Sequence, residues 1–421
     1  MIAARTYLPS RPTTGKEIDH VICSRQAKAH FAGKLAASGE SGSARACRCK
    51  AGQRPIRVMP QIRVLVVDDS VVVRKLICET LATSPEIELA GTASNGAIAL
   101  AKIPQVNPDI ITLDIEMPGL NGIQTLTEIH KLYPKLPVIM FSTLTERGAA
   151  ITLEALGRGA SDYVTKPSNS ASLADSMEQV RRELVAKIVS LAPRGRSTAV
   201  PSQRPAFQAT RKLGGQPPPD ILAIGTSTGG PNALAEVIPG LPGDFPVPVV
   251  VVQHMPPLFT RLLAERLNSQ SKLAVREAEA GAKLEAGQVW IARGDYHLTL
   301  ARKGNVVLLT LNQEAPENSC RPAVDVLFRS VAQVYGRGAL GVVMTGMGSD
   351  GARGAQHIRE AGGEILVQDE ASSVVWGMPG AVVSAGAADK VCPLTEISQE
   401  VTRRVTSGRR QAAGLPASVS R

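Results

Sequence analysis

No stretch of this 421-residue chain reaches the ~18 consecutive apolar residues that suggest a membrane span, although 43% of its residues are hydrophobic. Its first residues lack the short apolar core of a secretory signal, which argues against export. Cysteine is sparse. The six, at positions 23, 47, 49, 78, 320 and 392, include no pair at zinc-knuckle or C-x-x-C redox spacing. Reduced thiols and a cytoplasmic location are therefore expected.

Also missing is a basic face on the folding part of the chain. The formal net charge of +10 would by itself suggest a nucleic-acid partner. Residues 1–58, however, hold 11 Lys/Arg against 3 Asp/Glu, and the remaining 363 residues hold 36 against 34. The excess sits on a segment without periodicity, which reads as a disordered basic extension. Met59 is the first methionine after Met1, and ordered-looking sequence begins just behind it, so Met59 is the expected true start. The rest shows no helix-turn-helix segment and no basic stripe, which argues against DNA binding.

What is present is alternation. Over 62–181, short apolar strands ("IRVLVV", "IELAGTAS", "PDIITLD", "LPVIMFST", "SDYVT") alternate with amphipathic helical stretches. That order implies a doubly wound parallel sheet. Residues 182–219 turn Pro-, Gly-, Ser- and Arg-rich and read as a linker. From 220 the pattern resumes with "DILAIGTS", "VPVVVVQH", "GALGVVMTG" and "GEILVQD". Between them, "GQVWIARGDYHLTLARKGNVVLLTL" alternates with period two and reads as inserted β-hairpins. A loose tail is expected over 406–421. The fold class is thus α/β, with two doubly wound, mainly parallel-sheet domains, at 62–181 and 220–405.

In the first domain Asp68 and Asp69 follow the first strand, Asp114 ends the third, Ser142 the fourth, and Lys166-Pro167 the fifth. Strand C-termini of a parallel sheet share one edge, where ligands bind. Three carboxylates there repel one another unless a divalent cation sits among them, and an all-oxygen ligand set suits Mg²⁺. One carboxylate is left as a nucleophile toward a phosphoryl donor. Lys166 would balance charge and Ser142 would bond a phosphate oxygen. The domain resembles the receiver of two-component response regulators. The resemblance implies Asp114 as phosphoacceptor, Asp68 and Asp69 as the acidic pair, Ser142 and Lys166 as switch partners, and a histidine kinase as donor.

In the second domain three loops follow three apolar strands. The first, "GTSTGG", carries Ser227 in a Gly-x-Ser-x-Gly pattern that matches a nucleophile elbow. His254 lies past the second strand and Asp350 past the third. If the strands are parallel, all three meet at one edge. A serine hydroxyl needs a histidine to take its proton and a carboxylate to orient that histidine. Singly, each residue could be a plain cap or turn. A rival sits in the third loop, where Gly346-x-Gly348-x-x-Gly351 with Asp369 further on spells a dinucleotide fingerprint. Against it, Asp350 would place a carboxylate where a pyrophosphate belongs. The order Ser, His, Asp departs from that of α/β-hydrolases.

With these residues in view, the domain resembles the catalytic domain of CheB-type chemotaxis methylesterases, through "GTSTGGP", "QHMPP", "CRPAVDVLF", "TGMGSDGARG" and "SSVVWGMPGAV". The resemblance implies hydrolysis of glutamate methyl esters on methyl-accepting chemotaxis receptors and deamidation of receptor glutamines. It implies Ser227 as nucleophile, His254 as base and then acid, and Asp350 as orienting carboxylate. The oxyanion donors would lie around Met347, helped by Thr228. It further implies a CheA-type kinase as phosphodonor and Mg²⁺ in the receiver alone, with no cofactor for the ester chemistry. A monomer without membrane insertion is expected. The alternative is a receiver-gated binding module with an inactive or nucleotide-binding output domain.

Overall fold

A computed structural model describes residues 61–166, 173–192 and 217–407. The basic extension, Met59, Pro167, most of the linker and the tail beyond 407 lie outside the described residues.

The first domain runs β1 (Ile62–Val67), α1 (Val71–Ala82), β2 (Ile87–Ala93), α2 (Gly96–Val106), β3 (Ile110–Asp114), α3 (Gly122–Leu132), β4 (Val138–Ser142), α4 (Glu146–Gly157), β5 (Asp162–Thr165) and α5 (Leu173–Leu191). The strands pair in the order β2-β1-β3-β4-β5, all parallel. β3 and β4 are buried at every position, as expected for strands with helices on both faces. Helices α1 to α4 each begin behind a Ser, Asn or Thr whose side chain accepts an amide hydrogen bond in the first turn.

The sequence places the end of this domain at 181, but α5 runs ten residues further, to Leu191. The cause is a buried stripe. Val180, Leu184 and Ile188, four apart, pack on Val64, Ile139 and Val164. The polar residues between them resemble linker only when the stripe is overlooked.

The second domain runs β6 (Ile221–Thr226), α6 (Gly230–Val237), β7 (Val249–Gln253), α7 (Pro257–Gln270), β8 (Ala274–Glu277), β9 (Gln288–Ile291), β10 (His297–Lys303), β11 (Val306–Asn312), α8 (Val324–Tyr335), β12 (Ala339–Val343), α9 (Ala352–Glu360), β13 (Glu364–Gln368), α10 (Met378–Ser384), β14 (Lys390–Cys392) and α11 (Leu394–Ser407). Seven strands form one parallel sheet in the order β14-β13-β12-β6-β7-β9-β8. The expected insertion divides in two. β10 and β11 form an antiparallel hairpin, whereas β9 joins the main sheet beside β7. In β9, Val289, Trp290 and Ile291 are buried in succession, which suits a parallel strand covered on both faces rather than a hairpin strand.

In each sheet, strands leave the starting strand in both directions. Crevices therefore open at the C-terminal ends of β1 and β3, and again at those of β6 and β12. One hydrophobic core runs through both domains, from Leu153 and Tyr163 of the first to Phe259 and Leu263 of the second.

Candidate active site

At the first crevice, Asp68 and Asp114 are buried and Asp69 is exposed, and one carboxylate oxygen from each lies within 4.8 Å of the others. Lys166 Nζ sits 2.8 Å from Asp114 Oδ2 and 3.3 Å from Asp68 Oδ2. Apart from that ammonium, the two Oδ2 atoms have no partner among the described residues. Burial pushes the Asp114 carboxyl up to about 6 against the pull of Lys166, and it raises Asp68 as well. One lysine does not neutralise this cluster. The clustered oxygens and their missing partners fit a divalent cation. Ser142 is buried at the end of β4, where its hydroxyl accepts from Thr152 Oγ1 at 2.6 Å.

At the second crevice, Ser227 follows β6 in a turn closed by Gly229, whose φ of 77° starts α6. The turn is braced from both sides. Ser227 N donates to Thr345 O, and Ser227 O accepts from Gly230 N and from Gln253 Nε2. Its Oγ makes no hydrogen bond among the described residues. Gly346 presses against it, since a Cβ there would lie 2.9 Å from Ser227 Cβ. The loop after β12 thus abuts the serine only because residue 346 has no side chain.

His254 follows β7, and its Nε2 lies 2.8 Å from Asp350 Oδ2. The carboxylate of Asp350 is unusually well held. Oδ2 also accepts from Val324 N at 2.7 Å, and Oδ1 accepts from Asp325 N at 3.0 Å, Gly351 N at 2.9 Å and Asn318 Nδ2 at 2.8 Å. Val324 and Asp325 open α8, so the positive end of that helix faces Asp350. Burial favours the protonated carboxyl, yet the His254 bond and these amides hold it below the ordinary value. Burial likewise works against a charged His254, but Asp350 and Cys320 outweigh it and raise the imidazole to about 10. The other ring nitrogen, Nδ1, sits 3.5 Å from Cys320 Sγ.

The structure thus pairs His254 with Asp350 and sets Ser227 at the end of the adjoining strand. Met347 is half-buried beside the serine, and its N–H donates to no acceptor among the described residues. The Thr228 hydroxyl donates to Asp162 Oδ2 of the first domain at 2.6 Å, which leaves its main-chain N–H for another acceptor. The dinucleotide reading also fails on geometry. The Gly351 N–H that would meet a pyrophosphate donates instead to Asp350. Three contributors went unread in the sequence: Asn318, Cys320 and Asp325. The last two belong to "CRPAVDVLF", whose turn-then-helix pattern marks a helix N-terminus but does not say what it faces.

The first domain touches the second at several points. Asn232 Nδ2 donates to Leu156 O at 2.7 Å, and Arg266 donates to Leu153 O, both at the end of α4. Tyr163 and Phe259 stack with centroids 4.6 Å apart. Arg261 pairs with Glu146 at 2.7 Å. Asp162 is anchored in turn by the buried Lys187 at 3.2 Å.

Two family descriptions match this chain, CheB methylesterase over residues 222–401 and response regulator receiver domain over 64–178. The chain is 52% identical over 357 residues to a protein-glutamate methylesterase/protein-glutamine glutaminase of Trichodesmium erythraeum, with 82% of this chain and all of the relative covered. It is 53% identical to a protein of the same name from a Nocardioides species, over 83% of this chain and 97% of that one. Among solved structures, the CheB methylesterase catalytic domain of Thermotoga maritima is 44% identical with a TM-score of 0.43, covering 44% of this chain and 98% of that one. The chain belongs to the CheB family of protein-glutamate methylesterases/protein-glutamine glutaminases, with a receiver domain ahead of the methylesterase domain.

Proposed function

We propose that this chain hydrolyses glutamate methyl esters on methyl-accepting chemotaxis receptors, releasing methanol, and converts receptor glutamines to glutamate, under control of phosphorylation at Asp114. The observation that carries this reading is the His254–Asp350 pair at 2.8 Å, one strand away from the Ser227 turn. Ser227 Oγ attacks the side-chain carbonyl. His254 takes its proton at the nitrogen not bonded to Asp350 and returns it to the departing methanol or ammonia. Water then cleaves the acyl-serine by the same route in reverse. The free N–H groups of Met347 and Thr228 are suited to hold the oxyanion.

In the receiver, Asp68, Asp69 and Asp114 would hold Mg²⁺. When bound, that ion offsets the charge of the carboxylates and of an incoming phosphoryl group. Lys166 neutralises the product and Ser142 bonds a phosphoryl oxygen. The phosphodonor is a CheA-type histidine kinase. The enzyme acts as a cytoplasmic monomer on the exposed parts of its receptors and engages neither nucleic acid nor the bilayer.

With a methylated receptor fragment, the full chain should release methanol faster when a small-molecule phosphodonor and Mg²⁺ are added. Asp114→Asn should remove that stimulation and leave the basal rate. Equal stimulation of Asp114→Asn would sink the phosphorylation assignment, and absence of methanol under all conditions would sink the esterase assignment.

The contacts between α4 and the second domain hold the receiver against the Ser227 turn, which restricts receptor access. Arg266→Ala removes one charged hydrogen bond, worth about 1.5 kcal/mol at the low end for such bonds. It is therefore expected to raise the basal rate about tenfold while leaving the stimulated rate unchanged. A basal rate equal to wild type would remove Arg266 from the restraint.

A further inference from the structure

We propose that Asn318 is a positioning residue for hydrolysis, acting through Asp350 by separating it from a second buried carboxylate. The inference rests on the esterase reading above.

Asn318 Nδ2 donates to two acids at once, Asp350 Oδ1 at 2.8 Å and Asp325 Oδ2 at 2.9 Å. Both carboxylates are buried, at 2% and 1% exposure. Two neighbouring carboxylates away from water repel each other and tend to share a proton. A neutral amide that donates to both offsets the repulsion and adds no charge. The remaining Asp325 oxygen accepts from Gly354 N at 2.7 Å. Asn318 is therefore the side chain that joins the orienting acid to its neighbour.

The turn that carries Asn318 is built to place it. Asn318 and the following Ser319 have φ of 53° and 62°, a left-handed pair. Glu317 and Cys320 close the turn through reciprocal main-chain bonds at 3.1 and 2.9 Å. Glu317 is clamped by the two terminal guanidinium nitrogens of Arg329, on α8, at 2.6 and 2.7 Å. The same turn delivers Cys320 Sγ to His254 Nδ1. One four-residue turn thus touches both members of the histidine–carboxylate pair.

The charged and titratable groups around Asp350 are His254, Cys320, Asp325, Glu317, Arg329 and Arg353. His254 donates to Asp350 alone and neither arginine donates to either acid, whereas the amide of Asn318 donates to both. Without it, Asp350 binds a proton more readily and draws the His254 proton more strongly. Both effects move the acid limb of kcat/KM upward, because hydrolysis needs His254 neutral and Asp350 ionised.

Asn318→Gly tests this, since glycine accepts the left-handed backbone and removes only the amide. In the full chain, with phosphodonor and Mg²⁺, kcat is expected to fall by on the order of tenfold with KM little changed. The acid limb should rise by about one pH unit. In a Ser227→Ala background, the His254 ring resonances should titrate at higher pH once Asn318 is also glycine. Asn318→Gly combined with Asp325→Asn should bring the acid limb back, because the repelling charge is gone. A wild-type kcat and acid limb in Asn318→Gly would overturn the proposal, as would an acid limb that the second substitution fails to restore. Ser227→Ala assayed alongside separates the two readings. If it retains activity the Ser227 assignment of that reading fails, and if it is inactive while Asn318→Gly is unaffected only the role of Asn318 fails.

Discussion

Ser227→Ala is expected to lower kcat for methanol release by about 10⁶-fold while the protein stays folded. The fold should survive because the turn is held by main-chain bonds: Ser227 N to Thr345 O, and Gly230 N and Gln253 Nε2 to Ser227 O. Alanine keeps all three. The lost hydroxyl bonds no other described residue, so its removal strands no buried partner. A thermal melt within a few degrees of wild type, with methanol below detection, is the expected pair of results. Retention of more than a tenth of the rate would mean that another atom attacks. Cys320 Sγ, 3.5 Å from His254 Nδ1, would then be the first to remove.

Asp350→Asn should cost less, about 10⁴-fold, for a different reason. Five donors point at that carboxylate: His254 Nε2, the amides of Val324, Asp325 and Gly351, and Asn318 Nδ2. An asparagine must turn its own NH₂ toward some of them. If it faces His254, the ring has to accept at Nε2 and carry its hydrogen on Nδ1, and it can no longer take the proton of Ser227. The pH dependence has a definite sign. Asp350 and Cys320 lift His254 to about 10 although burial opposes the charge. Taking away the Asp350 charge lowers that value, so the neutral base exists at lower pH. The acid limb of the residual kcat/KM should shift downward, opposite to the shift expected for Asn318→Gly. An upward or unmoved limb would show that His254 is not the titrating base.

The alternation of apolar strands and helices carried most of the architecture, because strands buried on both faces leave continuous runs such as "VVVVQ" and "ALGVV". Residues just past those runs were legible as site candidates, since parallel strands end on a common edge. Three things were hidden, each because it depends on a partner distant in the chain. The tail of α5 follows the charged run Arg181, Arg182 and Glu183 and becomes helix through packing of Leu184 and Ile188 on β1, β4 and β5. "QVWI" alternates too briefly to separate a hairpin strand from one that docks beside β7. Asn318 lies 32 residues before the aspartate it bonds, in a polar turn like any other until that contact is seen. The hydroxyl of Thr228 belongs here too. Its partner, Asp162, lies 66 residues earlier in another domain, and no local pattern announces such a bond.

The two donors from Asn232 and Arg266 end on main-chain oxygens of Leu156 and Leu153. Those oxygens lie in the C-terminal half of α4, and that of Leu156 also accepts the main-chain N–H of Gly159 at 3.0 Å. This grip does not read receiver side chains. Substitutions on the surface of α4 leave these two bonds in place, although Glu146 of the same helix also meets Arg261 through its side chain. What loosens the grip is displacement of the helix as a body, by rotation, translation or unwinding of its end. On the proposed restraint, these two bonds would make the second domain respond to the position of α4 rather than to its surface side chains.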